Sequence, residues 1–211
     1  MYDFCDNSSW SKQEKDYFYY CLHQLTNDMK AHCLNLKAKQ LIKTKRKKAL
    51  LGVVELTKES VEGYPNKSEI LRSYLLKAEA EEMLGRVKAA DESYSRAMEW
   101  LGLISRDKLD AVVDYLTFIL RHRLRSRYDE AMKLTEVIEE DVYRLLVHDF
   151  VMLAARAILA FRIEKKRRYR TANEALKLVQ IRRYRNSDEK TGLVDLEKYD
   201  FMISNLLKIV K

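Results

Sequence analysis

The chain of 211 residues carries 40 Lys and Arg against 32 Asp and Glu, a formal charge of +8, and 47% of it is apolar. That much apolar material builds a core, which excludes disorder by composition, and the length excludes an assembly of several independent enzymes. Five glycines, one proline and no Asn-Gly or Asp-Gly dipeptide exclude a sandwich or barrel, whose turns consume those residues, and leave an all-α fold.

The opening stretch, "MYDFCDNSSW", has no basic segment followed by an apolar one, so no signal peptide is expected. Ser11 to Glu14, "SKQE", reads as a capping box starting a first helix that runs to about Leu25. Its aromatic run, with Tyr17, Phe18, Tyr20 and Cys21, covers more than one face. Either these rings are the core of a capping helix or they are a partner surface. A second helix spans about Asn27 to Lys43. "EGYPNKSE" breaks the chain next, with Ser68 placed to cap the following helix. Further breaks fall at Gly85, Ser105 to Asp107, Ser126 and Arg167. "RNSDEKTG" precedes a final amphipathic helix from about Val194 to Val210. The longest apolar stretch, "LLVHDFVMLAARAILAF", is cut by His148, Asp149 and Arg156, so no membrane-spanning helix is predicted.

Cys5, Cys21 and Cys33 are an odd number and imply no disulfide framework. A reducing cytoplasm is the expected location, with the nucleus open. Cys21, His23, His32 and Cys33 lack zinc-site spacing. No Gly-rich phosphate loop, nucleophile elbow or H-E-x-x-H motif occurs. The reading is therefore of a chain that is not an enzyme, with no metal and no cofactor.

The breaks recur, and so do the residues between them. Ala49, Ala90, Ala131 and Ala172 stand 41 residues apart. Val53, Tyr94, Thr135 and Leu176 follow four positions on, and Leu34, Leu75, Leu116 and Ala157 share a column in the preceding helix. A small residue at one fixed point lets two helices cross closely, while larger ones four and seven positions away fill the flanking grooves. One such pair cannot bury its face alone, so neighbouring pairs must stack.

Tyr74 to Leu101, "YLLKAEAEEMLGRVKAADESYSRAMEWL", carries a recognisable pattern. An early aromatic (Tyr74) and a small residue (Ala78) precede a turn glycine (Gly85). Ala90, Tyr94 and Ala97 then give small, aromatic, small. Tyr128 with Ala131, and Tyr169 with Ala172, repeat it. On these residues the chain resembles the tetratricopeptide-repeat (TPR) superfamily, over roughly Asn27 to Arg185. The period exceeds the usual ~34, and the proline after the second helix is missing. The resemblance implies a right-handed superhelical stack of antiparallel helix pairs. Its single domain would have a capping helix in 1–26, four pairs in 27–186 and a second cap in 194–211.

It also implies an inner groove lined by the first helices. Arg72, Leu75, Glu79, Glu82 and Met83 would supply one stretch, Val113, Leu116, Leu120, Arg123 and Leu124 the next, and Ala154, Ala157, Phe161, Glu164 and Lys165 the last. Leu75 and Glu79 stand where chaperone-binding relatives need Lys and Asn, so that activity is not implied. A peptide or amphipathic helix fits such a groove, with Arg72, Arg123 and Lys165 at its margin. The opposite outcome is that the C-terminal helix or tight superhelical packing fills it.

Three basic stretches, Lys37 to Lys48, Arg121 to Arg127 and Arg162 to Arg170, share one phase of the repeat and in a stack would form a stripe. Lys45, Arg46, Lys47, Lys48, Arg121, Arg125, Arg127, Arg167, Arg168 and Arg170 are its members. Cations at a helix C-terminus are ordinary solvated complements of the macrodipole. Arg168 and Arg170 open the next helix, where the dipole repels them, which the solvated reading does not explain, and an anion-binding edge is the alternative to it. Three readings stay open: a protein- or peptide-binding scaffold, an RNA-binding edge, and a structural subunit docking through its aromatic first helix. The oligomeric state is left open.

Overall fold

Where the sequence places a capping box, a helix starts. In α1 (Lys12–His23) the Ser11 hydroxyl accepts the Glu14 backbone N–H at 3.3 Å, and the Glu14 carboxylate accepts the Ser11 N–H at 3.0 Å. The Ser9 and Ser11 hydroxyls and the Asn7 amide also donate to this carboxylate, and together they hold its pKa at about 2. The computed structural model describes residues 3–101, 108–136, 146–164, 169–181 and 196–211. They form two compact units, Met1–Arg106 and Asp107–Lys211. Among the described residues all regular structure is helical.

In the N-terminal unit α2 (Asn27–Ile42) packs on α3 (Lys47–Gly63), and α4 (Lys67–Met83) packs on α5 (Val87–Glu99). Helix α4 also lies against α2 and α3, which joins the two pairs. The start of the chain closes the free side of the first pair. Phe18 and Leu22, one helical turn apart on α1, are buried with Cys5 and Trp10 against Leu34, Ala38 and Leu41 of α2 and Val53 of α3. Burying each large apolar side chain contributes about 1.5–3 kcal/mol. Trp10 meets Phe18 edge-on at 5.8 Å, and its indole lies across α3 at Gly52. A Cβ there would stand 2.5 Å from Trp10 Nε1, so only glycine admits this approach. The aromatic run therefore divides. Phe18 is core, while Tyr17 and Tyr20 face outward at 61% and 68% exposure.

The C-terminal unit repeats the scheme. Helix α6 (Lys108–His122) leads through a 3-10 turn (Arg125–Arg127) into α7 (Tyr128–Leu134), against which it packs, and α8 (Leu146–Glu164) packs on α9 (Tyr169–Ile181). Helix α8 also touches α6 and α7, as α4 touches α2 and α3. The last helix, α10 (Leu196–Val210), lies on α8 and α9 and buries Tyr199, Met202, Leu206 and Ile209.

The repeat reappears in the packing. Ala49, Ala90, Ala131 and Ala172 are all buried, and α5, α7 and α9 begin 41 residues apart. The Asn66 amide donates to Asp28 at 3.1 Å, tying the start of α4 to that of α2. His148 and Asp110, each two periods further along, meet at 2.7 Å and tie α8 to α6. Each of the first three turns within a pair contains a left-handed residue, at Lys45 (φ 54°), Gly85 (φ 75°) and Arg123 (φ 54°).

Two local expectations change. Ser68 lies inside the first turn of α4; the Asn66 carbonyl accepts the Glu69 and Ile70 N–H groups at 3.0 and 2.9 Å and takes the capping position. Ser126 belongs to the 3-10 turn, with the left-handed residue three positions earlier. The breaks expected at Ser105 to Asp107 and at Arg167 lie outside the described residues.

Candidate functional site

A buried, well-connected polar group in the N-terminal unit is Glu69, near the start of α4 and only 7% exposed. Its carboxylate takes the Asn35 amide at 2.9 Å, His32 Nδ1 at 2.9 Å and the Arg72 guanidinium at 3.3 Å. The Asn35 amide also reaches the Glu69 carbonyl at 3.1 Å. The Ser73 hydroxyl lies 2.9 Å from Asn35 Oδ1 and 3.0 Å from the Ser60 hydroxyl. Side chains from α2, α3 and α4 thus meet around one carboxylate that burial would otherwise penalise. Arg72, assigned from sequence to the groove margin, is one of its partners. The network holds three helices in register, and it brings together the ionisable groups of His32, Glu69 and Arg72.

The groove positions separate by helix. On α4, Arg72, Leu75, Glu79, Glu82 and Met83 lie along one side, and all are at least partly exposed. Met83 reaches 41%. The equivalent residues of α2, one period earlier, include Leu34, Ala38 and Leu41, which are buried in the cluster shared with the chain's start. On α6 the expectation fails. Leu116 and Leu120 are 0% and 1% exposed and belong to the core, because α8 packs against this helix and α10 also reaches it. Lys198 of α10 pairs with Asp114 at 3.5 Å, and the Arg121 guanidinium stands over the Phe201 ring at 5.5 Å. Val113, Ala154 and Ala157 are buried as well, whereas Arg123 and Phe161 are exposed and Leu124 is half-buried. Lys165 lies outside the described residues.

The basic stretches divide in the same way. Lys37 is fully buried. Its ammonium donates to the Asn7 carbonyl at 2.5 Å between the Trp10 and Phe18 rings, and burial lowers its pKa. Arg162 joins three helices: its guanidinium donates to the Tyr128 hydroxyl at 2.9 Å, to Asn205 at 3.3 Å and to the Leu120 carbonyl at 3.5 Å. Arg127 pairs with Glu130 at 3.2 Å and Arg170 with Glu174 at 3.0 Å, three and four residues along their own helices. Arg121 carries the Phe201 contact. Lys45, Arg46, Lys47 and Lys48 are exposed, as is Arg125, and among the described residues none of these five makes a side-chain hydrogen bond or ion pair. Arg167 and Arg168 lie outside the described residues.

Among the described residues no three His, Cys, Asp or Glu side chains converge as a metal site, and no helix is long and apolar enough to cross a membrane. Comparison with protein-family models, curated proteins and solved structures gave no match.

Proposed function

We propose that the chain is a non-catalytic protein-interaction module of TPR-like helix pairs, which takes a peptide or helix of a partner along the exposed side of α4. The observation that carries this reading is the contrast between equivalent faces. On α2 the face is buried under the chain's own start, and on α6 it is core. On α4 the same register leaves Leu75 half-buried and Met83 exposed between charged neighbours. A short apolar stripe rimmed by charge fits the apolar side of an amphipathic segment, with the apolar contacts as its anchors. The module's surface is thus narrower than a groove running along every pair, and Leu116 and Leu120 have no part in it.

The test places a photo-crosslinking amino acid at Met83, and at Lys12 as the control, in extract from the host. A discrete adduct at Met83 that persists at high salt and disappears on Leu75→Glu supports the proposal. No adduct at Met83, or one that survives Leu75→Glu with the thermal midpoint unchanged, sinks it.

A further inference from the structure

The corner between α2 and α3 is a surface of a different kind. From Met29 to Val54 the chain contains eight Lys and Arg and no Asp or Glu. Folding hides one of the eight, Lys37, and brings six others together at the end of α2, the turn and the first turn of α3: Lys39, Lys43, Lys45, Arg46, Lys47 and Lys48. All six are exposed. Lys43 reaches only the neutral Gln40 amide, at 2.8 Å. The apolar residues interleaved with them, Leu41, Ile42, Ala49 and Leu50, point into the core. What reaches solvent from 39 to 48 is therefore cationic apart from the half-buried Gln40 and Thr44.

The free chain gains little from this arrangement. Lys39 and Lys43 complement the C-terminal end of the α2 dipole. Lys47 and Lys48 oppose the dipole of α3, whose first turn has no acidic residue and whose N-cap, Arg46, makes no side-chain cap. Lys45 adds a left-handed backbone that its Cβ disfavours. Like charges crowded without counter-charge repel, and a polyanion relieves both this repulsion and the unfavourable dipole of α3.

We infer that the Lys39–Lys48 corner binds the phosphate backbone of a nucleic acid without reading its sequence. A protein interface has aromatic or apolar anchors at its centre, and this corner exposes none. A membrane-surface site pairs basic charge with an apolar face or lipid chain that enters the bilayer, and the exposed apolar side chains of this unit lie elsewhere, on α1, at the start of α2 and at the end of α4. Charge alone, at close spacing and with flexible lysine stems, suits a phosphate chain, which is uniform in charge and indifferent to register. Of the stripe expected from sequence, this corner holds the densest charge without counter-charge among the described residues. Its counterpart in the C-terminal unit has Arg127 in an ion pair and Arg121 on an aromatic ring.

The experiment titrates the intact chain with a fluorescent 16-nucleotide oligouridylate from about 20 to about 200 mM salt. With about four phosphates neutralised at about −0.7 each, log affinity against log salt has a slope of about −3, close to a thousandfold loss over that range. Lys45→Gln/Lys47→Gln/Lys48→Gln should cut the slope to about −1 and weaken low-salt binding at least about tenfold. Lys12→Gln/Lys67→Gln/Lys88→Gln removes the same charge from other exposed sites and should bind as the parent does. Circular dichroism confirms that both variants keep their helices. No binding at the lowest salt overturns the inference, and so does an equal loss in the control variant. Equal or tighter binding to phosphatidylserine vesicles or to polyglutamate, lost in the corner variant, replaces nucleic acid with a membrane or an acidic protein and overturns it too. None of these residues lies on α4 except Lys67 of the control, which is outside its proposed stripe, so the interaction proposed for that helix is tested independently.

Discussion

Gly52→Ala sets two effects of opposite sign against each other. Glycine inside a helix is worse than alanine by about 0.8–1.0 kcal/mol, so propensity alone makes the change stabilising. Packing says otherwise. The new methyl would stand 2.5 Å from Trp10 Nε1 and 2.6 Å from Cδ1, both on a rigid ring rather than the end of a flexible chain. Ordinary contact between such atoms begins near ~3.5 Å, so the indole must retreat by about 1 Å or leave its site. Overpacking a filled core costs about 1–3 kcal/mol. The net expectation runs from near balance to a loss of about 2 kcal/mol, and more if Trp10 is expelled along with its contacts to Phe18 and Lys37. Urea unfolding followed by circular dichroism gives the stability. Tryptophan emission, which shifts to the red if the indole becomes wet, tells retreat from expulsion. In a Trp10→Ala background the same Gly52→Ala change should become neutral or stabilising, and the difference between backgrounds isolates the contact. A Gly52→Ala change that shifts stability equally with and without Trp10 would refute the reasoning.

Three further outcomes follow from the geometry. Lys45→Gly and Arg123→Gly should each raise stability by up to about 1 kcal/mol, because a side chain in the left-handed region costs about 1–2 kcal/mol and glycine returns part of that as unfolded-chain entropy; Gly85→Ala should lower it by about 1 kcal/mol, all read from thermal midpoints. Glu69→Ala should cost about 1–3 kcal/mol by removing the carboxylate acceptor of the Asn35 amide, which keeps only the residue 69 carbonyl, and by loosening Arg72, with Glu69→Gln milder, as measured by chemical denaturation. The Glu14 carboxyl, near 4.5 when unfolded and about 2 when folded, supports the start of α1 fully above pH ~5 and loses that support as pH falls towards 2. The parent and Glu14→Gln should therefore differ in Trp10 fluorescence-monitored unfolding at neutral pH and converge in acid.

The alanine column was legible because a period of 41 is a property of the sequence, and close helix crossing demands a small residue wherever it falls. The capping box at Ser11 and Glu14 was legible because both partners lie within one turn. The fate of Leu116 and Leu120 was not. Periodicity says which residues share a side of α6 but not what covers that side, and α10, which reaches α6 through Lys198 and Phe201, lies some 80 residues away in sequence. Lys37 escaped for the opposite reason: lysine is counted as surface, and only a tertiary contact, the Asn7 carbonyl between two rings, gives it a place inside. The pairing of Arg127 with Glu130 and of Arg170 with Glu174 lay within reach of sequence, since residues three and four apart on a helix are neighbours. Helical spacing alone is enough to take both arginines out of the basic stripe.

The partners of Trp10 also bear on how the chain forms during synthesis. Most packing in the N-terminal unit joins helices adjacent or next but one along the chain, a local topology that folds quickly. The start of the chain is the exception, since its indole rests on Gly52, roughly 40 residues later. At about 5–20 residues per second, ribosomal elongation leaves Trp10, Phe18 and Leu22 without their α3 surface for about 2–8 s. In that interval the first helix is a sticky aromatic segment still waiting for its binding site to be made, and this is when the nascent chain is most exposed to chaperones and to aggregation.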